Sequence, residues 1–329
     1  MQLCAYGPQF AGGEKGKGIS MEDIVILFGS GKIASKVHKR LGKSIQAVID
    51  NDVQKVGTVI WENVPIISIE QYEDEYSTLP IVIAVSKCEE IEKQLIKRNI
   101  ERYSFAPELW GSDDVTMSNR ISHTEWRRYL KELCDKDGME ILEVGSRVVT
   151  GTNFRGMFEK ANYTGFDYYK GENVDVVGDA HRLSHYFDKK FDLIFSSAVF
   201  EHLAMPWQVS LEMIKLLKPG GYVFIETHYS YSSHERPWHF FQYSENALNI
   251  LFPEKFGIKC IEKGCSNLME GQFSQAAAPY LRGKRVADLY CHSEFLGQKI
   301  EEIPMENLNW LEVSLEDVVG STQYPKRKE

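Results

Sequence analysis

From Asp23 onward the chain alternates short, wholly apolar runs with stretches whose apolar residues recur every third or fourth position. Runs of the first kind predict strands buried on both faces, and stretches of the second kind predict amphipathic helices. In the first half the apolar run Ile24 to Phe28 enters a glycine turn, "GSGKIA", and a helical pattern follows. A second run, Ile45 to Ile49, ends at Asp50, and a third, "LPIVIAVS", ends near Ser86. "CEEIEKQLIKRNI" then places Ile91, Leu95 and Ile96 on one helical face. This order predicts a compact βαβ-type unit from Asp23 to about Pro107.

Polar and turn residues cluster in "APELWGSDDVTMSNRIS", which reads as a boundary. "HTEWRRYLKELCDKDG" follows with an apolar stripe of Trp126, Tyr129, Leu130 and Leu133, the pattern of a short amphipathic helix. After Gly138 a second series begins, with strands "MEILEVG", "YTGFDYY", "VDVVGDA", "FDLIFSSA" and "GGYVFIETH" and a helix "WQVSLEMIKLLK" before the last of them. "FGIKCIEKG" and "VADLYCHSEFLGQKI" are placed to close the sheet as a hairpin. The expected class is therefore α/β with two doubly wound domains. The boundaries read from the pattern are a tail over 1–22, a small Rossmann-like half-domain over 23–108, a linker helix over 109–137, a larger sheet domain over 138–300 and an extension over 301–329.

Composition narrows the function classes. At 43% hydrophobic and 26% charged the chain reads as soluble and globular. It has no run approaching a spanning helix and no apolar signal core at the N-terminus, which points to a cytoplasmic protein without a membrane span. A net charge of −9 with no long basic block argues against nucleic acid as partner. The six cysteines are scattered without a CxxC pair, as expected of reduced thiols.

The candidate chemistry lies at strand ends, where open parallel sheets bind ligands. Asp167 closes the second strand of the larger domain, where a carboxylate can accept from both hydroxyls of a ribose. Asp179 closes the third, where it can accept from an adenine amine. Small residues, Ser196, Ser197 and Ala198, close the fourth, and Glu143 stands just ahead of Gly145 in the first.

Taken in order, "LEVGS…TG", "GFDYY", "VVGDAHRL", "FDLIFSSAVFEHL" and "LLKPGGYVFIET" resemble the class I S-adenosylmethionine-dependent methyltransferases over about Met139 to Ile300. The resemblance implies S-adenosylmethionine as methyl donor. The positions assigned to it are Glu143, Gly145, Ser146, Arg147, Asp167, Asp179, Ala180 and Ser196. One departure stands in the first turn: the family's alternate glycines correspond here to Gly145, Arg147 and Val149. Glycine there serves positive φ or close approach to the ligand, so the pattern predicts a reshaped loop. Arg147 either pairs with the donor's carboxylate or faces solvent.

After the last parallel strand, "ETHYSYSSHERPWHFFQYS" holds His228, His234 and His239 among aromatic residues. A hydroxyl acceptor gains from a base of near-neutral pKa, and His228 and His234 are the first choices. His202, in "FEHL", reads as a structural neighbour of the pocket. His234-Glu235 lacks the i, i+4 histidine pair of a zinc protease, and no metal is assigned.

In the first half, "GSGKIA" fits G-x-G-x-x-A between a strand and a helix, with Asp50 where a ribose-binding acid is expected. The domain resembles the small N-terminal domain of bacterial sugar-modifying enzymes of glycan and capsule assembly. That resemblance implies either a nucleotide-linked sugar at Gly29, Gly31 and Asp50 or a vestigial fold that docks partners. The expectation is thus O-methylation of a saccharide or other polar small acceptor in surface-glycan biosynthesis, by a protein free to form homo-oligomers. The rivals are a natural-product or N- or P-methyltransferase, a non-catalytic scaffold with a degenerate donor loop, and an NAD-dependent enzyme working through the first domain.

Overall fold

The computed structural model describes residues 24–41, 44–107, 109, 111 and 114–314. The expected tail over 1–22 and the last part of the extension, 315–329, lie outside the described residues. The described residues form two compact units, one within 24–111 and 268–289 and one of 114–267 and 290–314.

The first unit comprises β1 (Val25–Phe28), α1 (Lys32–Leu41), β2 (Ile45–Ile49), β3 (Val59–Ile60), β4 (Val64–Ile67), α2 (Ile69–Gln71), β5 (Ile81–Ile83), α3 (Cys88–Lys97) and β6 (Tyr103–Phe105). Its sheet order is β3-β4-β2-β1-β5-β6, and β1 runs parallel to both β2 and β5. The unbroken apolar run of β1 has a direct cause. Val25 and Leu27 enter the core beneath α1, with Ala34 and Val37. Ile26 and Phe28 enter the opposite core, with Leu95 of α3 and Tyr72. A strand covered on both faces has no place for polar alternation. The antiparallel β3–β4 pair and β6 are additions to the expected pattern.

The second unit contains α4 (Trp126–Cys134), β7 (Glu140–Val144), β8 (Asn162–Asp167), β9 (Val176–Val177), β10 (Phe191–Ser197), α5 (Pro206–Leu216), β11 (Leu217–His228) and α6 (Glu245–Leu251). The edge hairpin is β12 (Ile258–Gln272) and β13 (Arg285–Lys299). The sheet order is β12-β13-β11-β10-β7-β8-β9. Strands β7 to β11 pair in parallel, and β13 lies antiparallel to β11, with Tyr222 opposite Gln298 and His228 opposite His292. This is a doubly wound, mostly parallel sheet, closed by the hairpin that the sequence pattern predicted.

Two features depart from the sequence reading. The helix expected as a linker, α4, belongs to the second unit: Trp126, Leu130 and Cys134 are completely buried against Phe195, Phe224 and Leu296. The hairpin also breaks the single domain expected over 138–300, since its outer part, 268–289, counts with the first unit. There Leu109 bridges Val286, and the Arg285 guanidinium lies 3.8 Å from the centre of the Phe105 ring. No helix among the described residues is long and apolar enough to cross a membrane.

Candidate functional site

The carboxyl ends of β7, β8, β9 and β10 lie along one edge of the sheet, and the assigned donor residues sit on or just beyond them. Gly145 ends β7 with φ +88°, and a Cβ there would come within 2.2 Å of Val199 Cγ2. The glycine is needed both for the left-handed turn and for the close approach of the segment after β10. Between Gly145 and Ala161 the chain forms one 3₁₀ turn, Arg155–Met157, and no α-helix. The loop is held instead by side chains: Arg155 Nε donates to Asn173 Oδ1 at 2.9 Å and its terminal nitrogen to Asp175 at 2.7 Å. Asn173 Nδ2 in turn donates to Ser146 O at 2.9 Å. The reshaped loop expected from Arg147 and Val149 is present.

Asp167 stands at the end of β8 with its carboxylate partly open. It accepts from the Tyr169 amide at 2.8 Å and from Arg147 N and Nε at 3.3 and 3.4 Å. Arg147 therefore leans on Asp167, and its guanidinium lies 5.5 Å from the Tyr169 ring centre. Asp179 caps the turn Ala180–Tyr186 and accepts from the His181 amide at 3.0 Å and its ring Nδ1 at 2.7 Å. His181 Nε2 accepts from the Met205 amide at 3.2 Å, which fixes the tautomer with the proton on Nδ1. Burial opposes ionisation of Asp179, but the hydrogen bonds from His181 hold its pKa below the ordinary value.

Three assigned residues are more deeply embedded. Ser146 Oγ donates to Asn173 O at 2.9 Å, and Ser196, completely buried, donates to Val144 O at 2.9 Å, tying β10 to β7. Glu143 accepts from the Tyr163 hydroxyl and is nearly inaccessible. Burial pushes its pKa up to about 7, against the hydrogen bonds from Tyr163 and Asn173. Two carboxylates at strand ends, neither of them fully buried, match what a ribose diol and an adenine amine require. The residues present thus fit S-adenosylmethionine.

Beyond β11 the chain turns back over the strand ends. The Phe240 amide donates to Glu201 O at 2.8 Å, and the Tyr243 amide to His228 O at 2.9 Å. Trp238 meets Tyr168, the residue after Asp167, edge-on at 5.4 Å, so this loop reaches the end of β8. Beneath it lies a cluster of imidazoles. His228 stacks on Tyr231 at 4.3 Å, and His234 lies 5.4 Å from His228, 4.8 Å from His202 and 4.7 Å from His239 between ring centres. The two histidines chosen from the sequence are brought together, and His202 and His239 join them.

Sequence reasoning missed the carboxylates of this cluster. Glu201, completely buried, places Oε1 2.8 Å from His228 Nδ1, and its Oε2 accepts from Thr227 Oγ1 at 2.6 Å. Glu226, two residues before His228 on the same face of β11, accepts from Ser197 Oγ at 2.8 Å and pairs with His123 Nδ1 at 2.9 Å. That pairing raises the pKa of His123 against the cost of its burial. His123 stacks on His292 of β13 at 4.0 Å, and burial lowers the His292 pKa to about 4. Glu294 faces Glu226 across the strands, and burial pushes it up to about 7. The period-2 alternation of "IETH" could have flagged Glu226 and His228 as one face. Nothing local in the sequence marks His123 or His292, which arrive from elements far away in the chain.

Residues 118–256 match the family model described as "Methyltransferase domain". The match begins at Ser118 and so takes in α4. Among curated proteins the chain is 27% identical over 156 residues to the tRNA U34 carboxymethyltransferase of Campylobacter curvus (strain 525.92). That match covers 39% of this chain and 50% of the relative, so the chain spans about half the length of the curated relative it matches. Among solved structures, a SAM dependent methyltransferase from Archaeoglobus fulgidus is 16% identical, covering 54% of this chain and 95% of the other at a TM-score of 0.38. The YcgJ protein from Bacillus subtilis is 15% identical, covering 54% and 100% at a TM-score of 0.39.

Proposed function

Starting from a class I methyltransferase sheet whose segment 118–256 matches a methyltransferase domain, we propose that the chain transfers the methyl group of S-adenosylmethionine to a hydroxyl of a saccharide or other polar small molecule. Asp167 takes the ribose hydroxyls and Asp179 with the adjoining Ala180 takes the adenine edge. Gly145 and Ser146 shape the turn beside the donor, and Glu143 orients its ammonium group. The acceptor oxygen attacks the methyl carbon in line with the breaking C–S bond, S-adenosylhomocysteine leaves, and the hydroxyl proton passes to His228 or His234. The observation that carries this reading is the placement of those two imidazoles, 5.4 Å apart between ring centres, under a loop whose Trp238 packs on Tyr168 beside Asp167.

A saccharide is favoured as acceptor because the loop offers exposed rings, Tyr231, Trp238 and Phe240, beside polar groups. Such rings cover a sugar face while hydrogen-bonding side chains read its hydroxyls. The Rossmann-like first unit supports a nucleotide-linked saccharide. In that unit Asp50 accepts from Ser30 N at 3.1 Å and Ser30 Oγ at 2.5 Å, and Lys55 approaches at 3.3 Å. A nucleotide's ribose would have to displace the serine from this acid.

Mass spectrometry of products from a panel of nucleotide sugars, free glycans and tRNA, each with S-adenosylmethionine, tests the reading. Methylation confined to a saccharide arm supports it, whereas product on tRNA alone rejects it. His228→Ala and His234→Ala are expected to lower turnover about 10²-fold or more in at least one case, with donor affinity unchanged. Full turnover in both removes the base assignment.

A further inference from the structure

The histidine cluster contains an arrangement that hydrogen bonding does not explain. Glu201 Oε1 and His228 Nδ1 are 2.8 Å apart and both inaccessible, yet they are misaligned, and neither atom has a hydrogen-bond partner. Buried polar atoms without partners are costly and uncommon. Here two of them, on different elements, face each other as a close ion-pair contact without a hydrogen bond.

The third member of the group is His234. Its Nδ1 lies 3.0 Å from the carbonyl oxygen of Ser232. A carbonyl only accepts, so Nδ1 carries the proton and Nε2 of the neutral ring presents a lone pair. His202 is held the same way: its Nδ1 lies 2.8 Å from Trp238 O, leaving Nε2 as an acceptor 4.0 Å from Glu201 Oε1. With these rings neutral, nitrogen lone pairs stand close to the Glu201 carboxylate, a donor set suited to a cation.

The geometry points to a binding site for one divalent transition-metal ion of the zinc class, held by Glu201 Oε1, His228 Nδ1 and His234 Nε2. Ligand atoms of these three residues lie within 4.8 Å of one another. Two ligands on a tetrahedral zinc are about 3.3 Å apart at bond lengths of about 2.0–2.1 Å, so a modest contraction of the His234 loop completes the set. Two imidazoles and one carboxylate form a borderline donor set that suits zinc, manganese, iron or cobalt better than magnesium. The surroundings hold these ligands in place. The Thr227 hydroxyl fixes the other carboxylate oxygen of Glu201, and the Ser232 carbonyl fixes the His234 tautomer. Such outer partners are a regular feature of metal sites.

Three protein ligands leave a coordination position for a small molecule, with His202 Nε2 beside it. The catalytic consequence rests on the methyl-transfer reading. An acceptor hydroxyl bound there would be acidified by the cation and lose its proton to water, and the oxygen would take the methyl group as the C–S bond breaks. His228 and His234 would then act as ligands in place of acting as bases.

The test uses the full chain, stripped with a chelator and titrated separately with Zn²⁺ and Co²⁺. After gel filtration about one ion per chain is expected by elemental mass spectrometry, and the Co²⁺ form should show visible ligand-field bands. Glu201→Gln and His234→Ala are each expected to weaken binding about tenfold or more. Calorimetry with S-adenosylhomocysteine on the same samples reports the donor site independently, so failure of the methyltransferase reading is not mistaken for failure of this one. A wild-type chain that retains no ion overturns the proposal. Glu201 is buried and its variant can lose stability, so His234→Ala decides the matter. Unchanged metal affinity in that variant overturns the site whatever Glu201→Gln does.

Discussion

Gly145 combines a left-handed backbone with a neighbour that cannot yield: Val199 is β-branched, and its Cγ2 would stand 2.2 Å from an added Cβ. Gly145→Ala is expected to destabilise the second unit by roughly 1–3 kcal/mol and to weaken donor binding, measured by urea unfolding and calorimetry. Glu143 makes a pH-dependent prediction. Its pKa of about 7 means that the acceptor-only carboxylate gains population as pH rises from 6 to 8. If it orients the donor's ammonium, donor affinity rises over that range and Glu143→Gln flattens the rise. Arg147 leans on Asp167 and Tyr169, so Arg147→Ala should change donor affinity less than Asp167→Ala does. A larger loss from Arg147→Ala would return it to the donor's carboxylate.

At the scale of elements, α4 shows where packing overrides a boundary. Trp126 is completely buried and stacks at 5.0 Å on Phe224, while its ring N–H has no partner. Trp126→Ala should cost about 3–5 kcal/mol. Trp126→Phe should cost less than half of that, because it removes the unpaired donor while keeping an aromatic ring. Thermal unfolding of both variants measures the difference, and equal losses would contradict it. The apolar stripe of α4 was legible in the sequence, but the face it covers was not, since a helical period shows that a face is buried and not against what. The buried parallel strands were the most legible part because they lack polar alternation. The two-residue strand β3 carries too few positions to show any period, whereas β9, as short, was placed by its order in the series. The places of Asp167 at the end of β8 and Asp179 just beyond β9 were readable from order and spacing. The carboxylate and histidine partners at Glu201, Glu226, His123 and His292 were not, because they come from a turn after β10, from β11, from the segment before α4 and from β13, and only tertiary packing decides that they meet.

For the whole molecule, two buried acids weigh on stability on the alkaline side. Glu143 and Glu294, both in the second unit, are each pushed up to about 7 by burial. Between the unfolded value of 4.5 and about 7 the folded chain holds protons that the unfolded chain has lost. Their contribution is therefore complete below the unfolded value and disappears as pH rises through 7. Unfolding midpoints should fall from pH 6 to pH 8, and Glu294→Gln should flatten the fall and stabilise the chain at pH 8 by up to about 3 kcal/mol. An unchanged slope would contradict the burial assigned to Glu294.

Donor binding underlies every functional statement about the chain, and one titration addresses it. Calorimetry of the full chain with S-adenosylhomocysteine is expected to give one site of roughly micromolar affinity, lost in Asp167→Ala while the fold persists by circular dichroism. Absence of binding in the wild-type chain, or equal binding in Asp167→Ala, would contradict the account.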